Sequence, residues 1–368
     1  MLTTALLALV LAAPCPPEGT VITPPDIGKA GFGFVMEISG SVIDRMLAQL
    51  ADSRVERALA DGGKIEIVLD RVVADAYAPC GTDLRIIVNA TVRLDSAGCV
   101  RRSRATIMVG AKLKVQVEPG RAPSLEIEPA PEAIIVTDDS AQAAEVERAI
   151  LETGPELAAK LATSTPLGGL EALAQASPGG PGAVIAAAYN LGFAWVLQVG
   201  GALGQGQASP PQVFQQGDLL TLVLTRETVS RLASYEYAAG HLPSQMTREG
   251  LVDPHGPVRI TGLSADIEPD ALLVDWHGVT EDSRIVLIRW RLGFVSTPSG
   301  LALEIREITV DGKPQEVPKH ELINPIDDLI KTIATGPKRT GLLAGPIGRM
   351  KLTTGRISAE AVLVAGRV

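Results

Sequence analysis

The sequence predicts an α+β protein made of two tandem units, each with an amphipathic helix and a long, curved antiparallel sheet. Two observations support this fold class. Long segments alternate apolar and polar residues with the period of a β-strand, and the order of strand, helix and strands returns roughly 180–190 residues later. The 368 residues are enough for about two domains, and the 46% hydrophobic content is enough for packed cores.

The first unit contains the clearest strand pattern. Apolar residues occupy every second position over Leu84–Leu94 and again over Ala105–Val117, which predicts two long, half-buried strands. Over Ile65–Ala76 the apolar positions change phase midway, and this change predicts a β-bulge that bends the strand. Leu125–Glu128 continues the alternation, so we expect a meander.

A helix is predicted before this meander. Ser41 and Asp44 resemble a capping box at a helix start, and the apolar residues that follow recur at helical spacing. The apolar residues are Val42, Ile43, Met46, Leu47 and Leu50. We therefore expect one face of this helix to be buried.

The second unit repeats the order of the first. Leu220–Leu224 is predicted to be a strand, and it leads to a helix with Thr225 and Thr228 as candidate caps and with Val229 and Leu232 on its apolar face. The predicted strands that follow are Val258–Ile267, with a phase change, Leu272–His277 and Val286–Phe294. Further helices are predicted near Ala141–Ala162 and Asn324–Thr335, and a closing strand over Met350–Val364.

The N-terminus has the character of an export signal. Leu2–Ala13 is almost wholly apolar and ends in small residues, so residues 1–14 are predicted to be a signal peptide. No Lys or Arg precedes Lys29, and a mis-set start codon or a buried strand are therefore the alternatives. If the signal is cleaved before Cys15, a lipid anchor on this thiol is a further interpretation, although Pro14 stands where a lipoprotein signal has a small residue.

Three cysteines and four histidines are present, and no pair of them has the spacing of metal ligands. The sequence therefore predicts no metal site and no cofactor. In an exported protein Cys80 and Cys99 are candidates for a disulfide. The predicted strand between them would place them at its opposite ends, beyond the reach of a disulfide, so both interpretations stay open.

The two units are joined by an apolar segment. Between Leu161 and Gly217 the sequence has one charged residue, Glu171, and Ala183–Gly204 is long and apolar enough for a membrane-spanning helix. The segment contains several Gly residues and has no basic residues at its flanks, which does not favour a membrane span. We expect it to be a buried or lipid-associated connection.

The net charge of −9 disfavours general attraction to nucleic acid, and no nucleic-acid partner is expected. Basic residues cluster locally at Arg101, Arg102 and Arg104, where a strand begins. Two interpretations apply to this cluster. It is either a solvated strand end or a docking site for anionic lipid headgroups, whose field salt confines to about 8–10 Å.

No catalytic motif is found. The sequence contains no G-x-S-x-G elbow, phosphate-binding loop, H-E-x-x-H or EF-hand loop, and its four histidines stand apart among turn residues or polar strand positions. The sequence therefore names no catalytic residue, and we expect a protein that is not an enzyme.

The repeated order of elements resembles the tubular lipid-binding (TULIP) superfamily, which includes the bactericidal/permeability-increasing protein (BPI), the lipopolysaccharide-binding protein and the cholesteryl-ester transfer protein. Met36–Asp44 looks like the opening of the first barrel of that family, and Gly217–Thr225 looks like the opening of the second. The closing region is also similar, from Asn324–Leu329 through Met350–Leu352 to Val362–Val364.

This resemblance implies two tandem tubular lipid-binding barrels, each a curved antiparallel sheet wrapped around an amphipathic helix, with an apolar groove for acyl chains. The implied first barrel covers residues 26–163, the connecting segment 164–212 and the second barrel 213–368. The chain lacks the basic N-terminal tip of the animal proteins, so the resemblance does not extend to neutralising lipopolysaccharide.

We therefore expect a non-enzymatic lipid-binding or lipid-transfer protein of a bacterial envelope, periplasmic or secreted. Its expected partners are a phospholipid, fatty acid or sterol, with transient membrane contact. The candidate groove residues are Ile43, Met46, Leu47, Leu50, Val229 and Leu232. The alternative is a duplicated β-protein with filled cores that binds another envelope protein, and an esterase with an unrecognised serine is a third hypothesis.

Overall fold

The computed structural model describes most of the chain after the apolar N-terminus. The described residues are 26–76, 80–81, 83–96, 99–116, 124–138, 143–166, 170–191, 195–204, 213–298, 300–318, 322–323, 351–358 and 361–367. The predicted signal peptide, Cys15 and the predicted helix Asn324–Thr335 lie outside them.

The first unit has the predicted order of strand, helix and meander. It opens with α1 (Asp26–Lys29), β1 (Phe32–Ser39) and α2 (Gly40–Leu47), which a 3₁₀ turn over Ala48–Leu50 extends. The strands that follow are β2 (Arg54–Ala58), β3 (Lys64–Ala76), β4 (Cys80–Gly81), β5 (Asp83–Ser96), β6 (Cys99–Gln116) and β7 (Ser124–Asp138). The unit closes with α3 (Ala143–Glu152), α4 (Gly154–Leu161) and β8 (Thr163–Pro166).

The apolar connection forms strands and one short helix. Its elements are α5 (Leu170–Ala176), a 3₁₀ turn over Pro181–Ala183, β9 (Val184–Asn190) and β10 (Trp195–Ala202). The helix considered over Ala183–Gly204 is therefore wrong. Among the described residues, no helix has the length and apolar character needed to cross a membrane.

The second unit follows the same plan as the first. It opens with β11 (Leu220–Thr225) and α6 (Arg226–Ala238). Its further strands are β12 (Gln245–Met246), β13 (Val258–Glu268), β14 (Ala271–Thr280), β15 (Ile285–Thr297), β16 (Gly300–Val310), β17 (Lys313–Gln315) and β18 (Leu322–Ile323). The predicted single closing strand is instead a hairpin of β19 (Lys351–Ile357) and β20 (Ala361–Arg367).

The strands form three antiparallel sheets. The first meander sheet has the order β2-β3-β5-β6-β7-β8, and the second has the order β12-β13-β14-β15-β16-β17, with β18 paired to β16. The central sheet has the order β19-β20-β11-β1-β10-β9-β4. Each meander sheet curls into a half-barrel, so the fold is mostly antiparallel sheet with few helices, in keeping with the predicted two-part α+β class.

The central sheet joins the two units. Its strands β1 and β11 open the two units and pair with each other, with Met36 opposite Leu222. On the other side of β1, Met36 stands opposite Val199 of β10. Every residue of β1 is buried, so both faces of this strand are covered. A continuous apolar core runs from the central sheet into both meander sheets.

The strand alternation and both phase changes are confirmed. In β5 the residues of the apolar set are buried in alternation with more exposed neighbours. The pairing of β3 with β5 shifts between Leu69 and Arg71, and that of β13 with β14 shifts between Ile260 and Gly262. Each shift lies where the apolar positions change phase, as expected of a β-bulge.

The helix α2 starts two residues earlier than predicted, with Ser39 as its cap rather than Ser41. Ser39 caps α2 by accepting a hydrogen bond from the Ser41 backbone N–H at 3.3 Å. Asp44 does not close a capping box, because its carboxylate accepts from the Ala74 backbone N–H at 2.9 Å. Gly40 begins the helix under the ring of Trp195, where a Cβ would lie 2.2 Å from the indole.

The disulfide between Cys80 and Cys99 is not formed. Cys99 is a free, exposed cysteine at the start of β6, opposite Ser96. Cys80 lies in β4, which precedes β5 in the chain and pairs with β9. The 14 residues of β5 separate the two cysteines, as the strand interpretation predicted.

Candidate functional site

The two meander sheets each have an apolar inner face, and the structure covers these faces to different extents. The inner face is the side that packs toward the core, and the outer face carries the alternating polar residues.

The inner face of the first meander sheet is covered over its centre, and Val115 and Val136 toward its ends are half-buried. Its central residues, such as Ile67, Val88 and Ile107, are 0% exposed. The helices α3 and α4 pack on this sheet and add Ile150 and Leu157, which are also fully buried. The centre of the first unit is therefore a packed core.

The six predicted groove residues all lie in or against this continuous core. Five of them are buried and Leu50 is half-buried at its edge. The structure brings the two helix faces together in one cluster, which contains Ile43, Met46, Leu47, Val229 and Leu232. The arrangement is that of packed core residues, and their role in binding a lipid stays a prediction.

The inner face of the second meander sheet is only partly covered. Leu272 and Val274 of β14 lie on this face, opposite Leu292 and Trp290 of β15, yet both are half-buried. We call five half-buried apolar residues of this face the inner patch: Leu263, Leu272, Val274, Phe294 and Leu303, and Val310 is half-buried further along β16. These residues pack against the two large core clusters, and Leu272 and Leu303 contact both.

Two tryptophans form the buried floor beside the inner patch. The rings of Trp276 and Trp290 meet edge to face, with centroids 5.1 Å apart. The indole N–H of Trp290 donates to the Gly250 carbonyl at 2.7 Å. The indole N–H of Trp276 has no hydrogen-bond partner among the described residues, although Trp276 is 4% exposed. A buried hydrogen-bond donor without a partner is unusual and costs free energy of folding. The Trp276 N–H is such a donor, and it lies beside the inner patch.

The predicted arginine cluster is divided between two environments. Arg101 forms an ion pair with Glu145 of α3 and is about one-third exposed. Arg102 and Arg104 are exposed on the outer face of the first meander sheet, and Arg102 stands directly opposite Arg93. The structure therefore keeps Arg102 and Arg104 together and separates Arg101 from them.

The same outer face carries an apolar row that sequence reasoning missed. Val73, Ile87, Met108 and Ile135 stand opposite one another across four neighbouring strands. Ile135 is 58% exposed, and the other three are half-buried. Each occupies a position that the strand alternation assigns to the polar phase, and this departure was the signal available in the sequence.

No metal centre emerges from the described side chains. Within them, no group of three or more His, Cys, Asp or Glu residues is placed to hold a metal ion. Among the described residues, His241 is the histidine with an ion pair: it follows the end of α6 and contacts Glu236 at 2.8 Å.

Comparison with known proteins finds similar solved structures but no related sequence or family model. No protein-family model matches the chain, and no curated protein matches it in sequence. Among solved structures, the chain is similar to P47 from Clostridium botulinum A2, with 11% identity, a TM-score of 0.48, and coverage of 92% of this chain and 98% of that chain. It is also similar to a lipopolysaccharide binding protein, with 10% identity, a TM-score of 0.23, and coverage of 92% and 98%. Scores below 0.5 establish neither a shared fold nor a shared function.

Proposed function

We propose that this protein is a non-enzymatic lipid binder that holds an acyl chain against the inner patch of the second meander sheet. The observation that carries the proposal is the unequal cover of the two inner faces. The first leaves Val115 and Val136 half-buried, whereas the second leaves six apolar side chains half-buried, the inner patch and Val310, beside a buried tryptophan N–H without a described partner.

The chemistry of the inner patch suits a molecule with a long apolar part and one polar group. Leu263, Leu272, Val274, Phe294 and Leu303 offer apolar surface, and each methylene group that they bury contributes about 0.8 kcal/mol to binding. The N–H of Trp276 is a donor that a carboxylate or ester oxygen would satisfy. A fatty acid or phospholipid fits this combination better than a pure hydrocarbon.

This proposal places the lipid on the second sheet rather than on the helix faces. The residues of α2 and α6 that were predicted to line a groove are packed into the core, where an acyl chain would have to displace them. The inner patch needs less displacement, because its side chains are already partly exposed, and only the buried Trp276 N–H requires neighbouring side chains to move.

We further propose that the outer face of the first meander sheet is the surface that meets an anionic membrane. The apolar row of Val73, Ile87, Met108 and Ile135 would contact acyl chains, and Arg102 and Arg104 would contact phosphate groups. An envelope location, periplasmic or secreted, would bring such a surface to its membranes.

The second candidate function is an interaction module without a lipid. The filled core of the first unit favours it, because this unit is complete without any ligand. In that case the apolar row on the outer face would bind another envelope protein.

The experiment that tests lipid binding compares two matched substitutions in delipidated protein. Leu303→Trp places a bulky ring in the inner patch, and Leu287→Trp makes the same change at a half-buried leucine on the outer face of the same sheet. We expect saturable uptake of a fluorescent fatty acid by the wild type and by Leu287→Trp, and at least tenfold weaker uptake by Leu303→Trp.

Thermal melts check that both variants remain folded. Equal uptake by the two variants would contradict the proposed position of the lipid. A wild type that takes up no fatty acid, phospholipid or sterol would contradict lipid binding and favour the interaction module. Labelling by a serine-directed fluorophosphonate would contradict the non-enzymatic part of the proposal.

A further inference from the structure

The central sheet has a buried carboxylate on the face that points away from the main core. Phe34, Met36 and Ile38 of β1 belong to the main core, and the alternating residues Val35 and Glu37 lie on the opposite face, which we call the back face. Glu37 is 0% exposed. A carboxylate in such a position requires donors, because an unsatisfied buried charge is very costly.

Three donors from three different elements converge on this carboxylate. The Tyr189 hydroxyl of β9 donates to Oε1 at 2.5 Å, and the Gln198 side-chain amide of β10 donates to the same oxygen at 2.7 Å. The backbone N–H of Val213 reaches both oxygens, at 3.0 Å to Oε1 and 3.2 Å to Oε2. Glu37 is thus the common acceptor of two strands and of the segment that leads to β11.

That segment covers the back face. We call Val213–Asp218 the strap. Val213 packs with Val35 and Val223, and Phe214 packs with Tyr189 and Val196, in two small clusters separate from the main core. The hydrogen bonds from the Val213 N–H to Glu37 fasten the start of the strap to β1.

The charges that face Glu37 do not compensate it. Burial first, and the nearby carboxylate of Asp218 in addition, raise the pKa of Glu37 to about 7, although the three hydrogen bonds act in the opposite direction. Asp218 is itself buried and accepts from the Thr221 hydroxyl at 3.3 Å. Burial also raises the pKa of Tyr189 far above its usual range, so this hydroxyl keeps its proton and stays a donor. Gln198 is neutral, so no cation is among the groups that act on Glu37.

We propose that Glu37 is a proton-controlled clasp that fastens the strap to the back face in mildly acidic conditions and loosens it near neutral pH. When Glu37 carries a proton, the back face holds no uncompensated negative charge at this position. When the proton is lost, opening the strap lets water reach the carboxylate, which stabilises the charge. This inference concerns a different face of the molecule from lipid binding and does not depend on it.

The direction of the pH effect follows from linkage. In the open form Glu37 would titrate near its ordinary value of 4.5, and in the closed form it titrates near 7. The closed form therefore binds the proton more tightly, and acidic pH favours closing. The opening equilibrium constant should rise about tenfold per pH unit between these two values, by roughly 300-fold in total, and should level off above pH 7.

Hydrogen exchange of the strap in the full-length protein tests this clasp. Exchange of the amides in Val213–Asp218 is measured from pH 5.5 to 8.5 and corrected for the intrinsic pH dependence of exchange. Three proteins are compared, the wild type, Glu37→Gln and Asp44→Asn. The last is a matched control, because burial raises the pKa of Asp44 and its carboxylate also accepts a backbone hydrogen bond, but it lies on α2 away from the strap.

The corrected protection of the strap should fall with pH up to about 7 in the wild type and in Asp44→Asn, and it should not depend on pH in Glu37→Gln. A corrected protection that does not depend on pH in the wild type, or that depends on pH equally in Glu37→Gln, would overturn the proposal.

Tyr189→Phe supplies a second variant if Glu37→Gln does not fold. It removes a hydrogen bond that stabilises ionised Glu37 and so raises the pKa of this carboxyl further. The strap protection should therefore stop falling only at a higher pH than in the wild type. An unchanged profile in Tyr189→Phe would also overturn the clasp.

Discussion

The two meander sheets have the same plan and opposite exposure. In the first, the inner face is mostly covered, and the outer face carries the apolar row, Arg102 and Arg104, and ion pairs such as that of Arg85 with Asp75. In the second, the inner patch is half-buried, and the outer face carries ion pairs and the exposed Ile285. Topology alone therefore does not distinguish the two units, and the cover over each inner face does.

The arginines of the two outer faces differ in their partners. Arg289 binds Asp275 on the neighbouring strand through two hydrogen bonds, at 2.6 and 2.7 Å. Arg226 of α6 makes a second bidentate pair with Asp266, and this pair lowers the pKa of that carboxyl. No such partner is described for Arg102 or Arg104 among the residues that the structure covers. Arg102 and Arg104 are thus exposed, whereas Arg289 is already paired with a carboxylate.

The largest expected effect separates the two inner faces by stability. Leu161→Ala removes a fully buried side chain from the first core and should lower the free energy of unfolding by about 2–5 kcal/mol. Leu272→Ala in the half-buried inner patch should cost about 1 kcal/mol, because part of its surface is already in water. Urea unfolding measures both, and equal losses would show that the two faces are packed alike.

The next effect concerns the pH dependence of stability. Because the pKa of Glu37 is about 7 in the folded protein and near 4.5 when exposed, the native state binds a proton more tightly than the unfolded state. This group should therefore reduce the free energy of unfolding by about 3 kcal/mol as the pH rises from about 4.5 to 7. Glu37→Gln should remove that decline. Denaturant midpoints of the wild type and of Glu37→Gln at pH 5 and 8 measure this decline in stability. An identical decline in the two proteins would mean that groups other than Glu37 cause it.

A smaller effect tests the outer faces. Replacing Arg102 and Arg104 together by Ala should weaken binding to vesicles of anionic phospholipid by about 25-fold, at about fivefold for each arginine. Arg289→Ala removes an arginine from the other outer face, where Asp275 already binds it, and should change vesicle binding little. Vesicle co-sedimentation measures both changes, and a greater loss in Arg289→Ala would reverse the assignment of the membrane surface.

The smallest effect comes from the unpaired donor in the inner patch. Trp276→Phe removes the N–H while keeping an aromatic ring. We expect fatty-acid affinity to fall about 2–10-fold, the value of one hydrogen bond, together with the loss of stability that any smaller ring causes at a buried site. Calorimetric titration measures the affinity, and an unchanged affinity would contradict a role of the Trp276 N–H in binding.

Strands and bulges could be predicted from the sequence because they depend on local pattern. The alternation over β5 and β6 and the phase change near Leu69 are visible in the order of residues, and the structure reproduces them. The cap of α2 was assigned to the wrong serine, because Ser39 and Ser41 both have hydroxyls suited to the helix start.

The cover over each face could not be predicted, because it depends on contacts between distant segments. The alternation assigns Val88 and Val274 equally to an inner face, yet the first is fully buried and the second half-buried. Glu37 likewise gave no local signal, since its donors come from residues more than 150 positions away. The strands β9 and β10 were missed because a run of small apolar residues has no period-two pattern.

The central claim is that a lipid binds at the second inner face while the first is filled. Photolabelling of the delipidated full-length protein with a diazirine fatty acid, followed by peptide mapping, tests this most directly. The account predicts labels within residues 263–303, on the strands that carry the inner patch. Labels on α3, α4 or the inner face of the first sheet, or no saturable labelling at all, would contradict it.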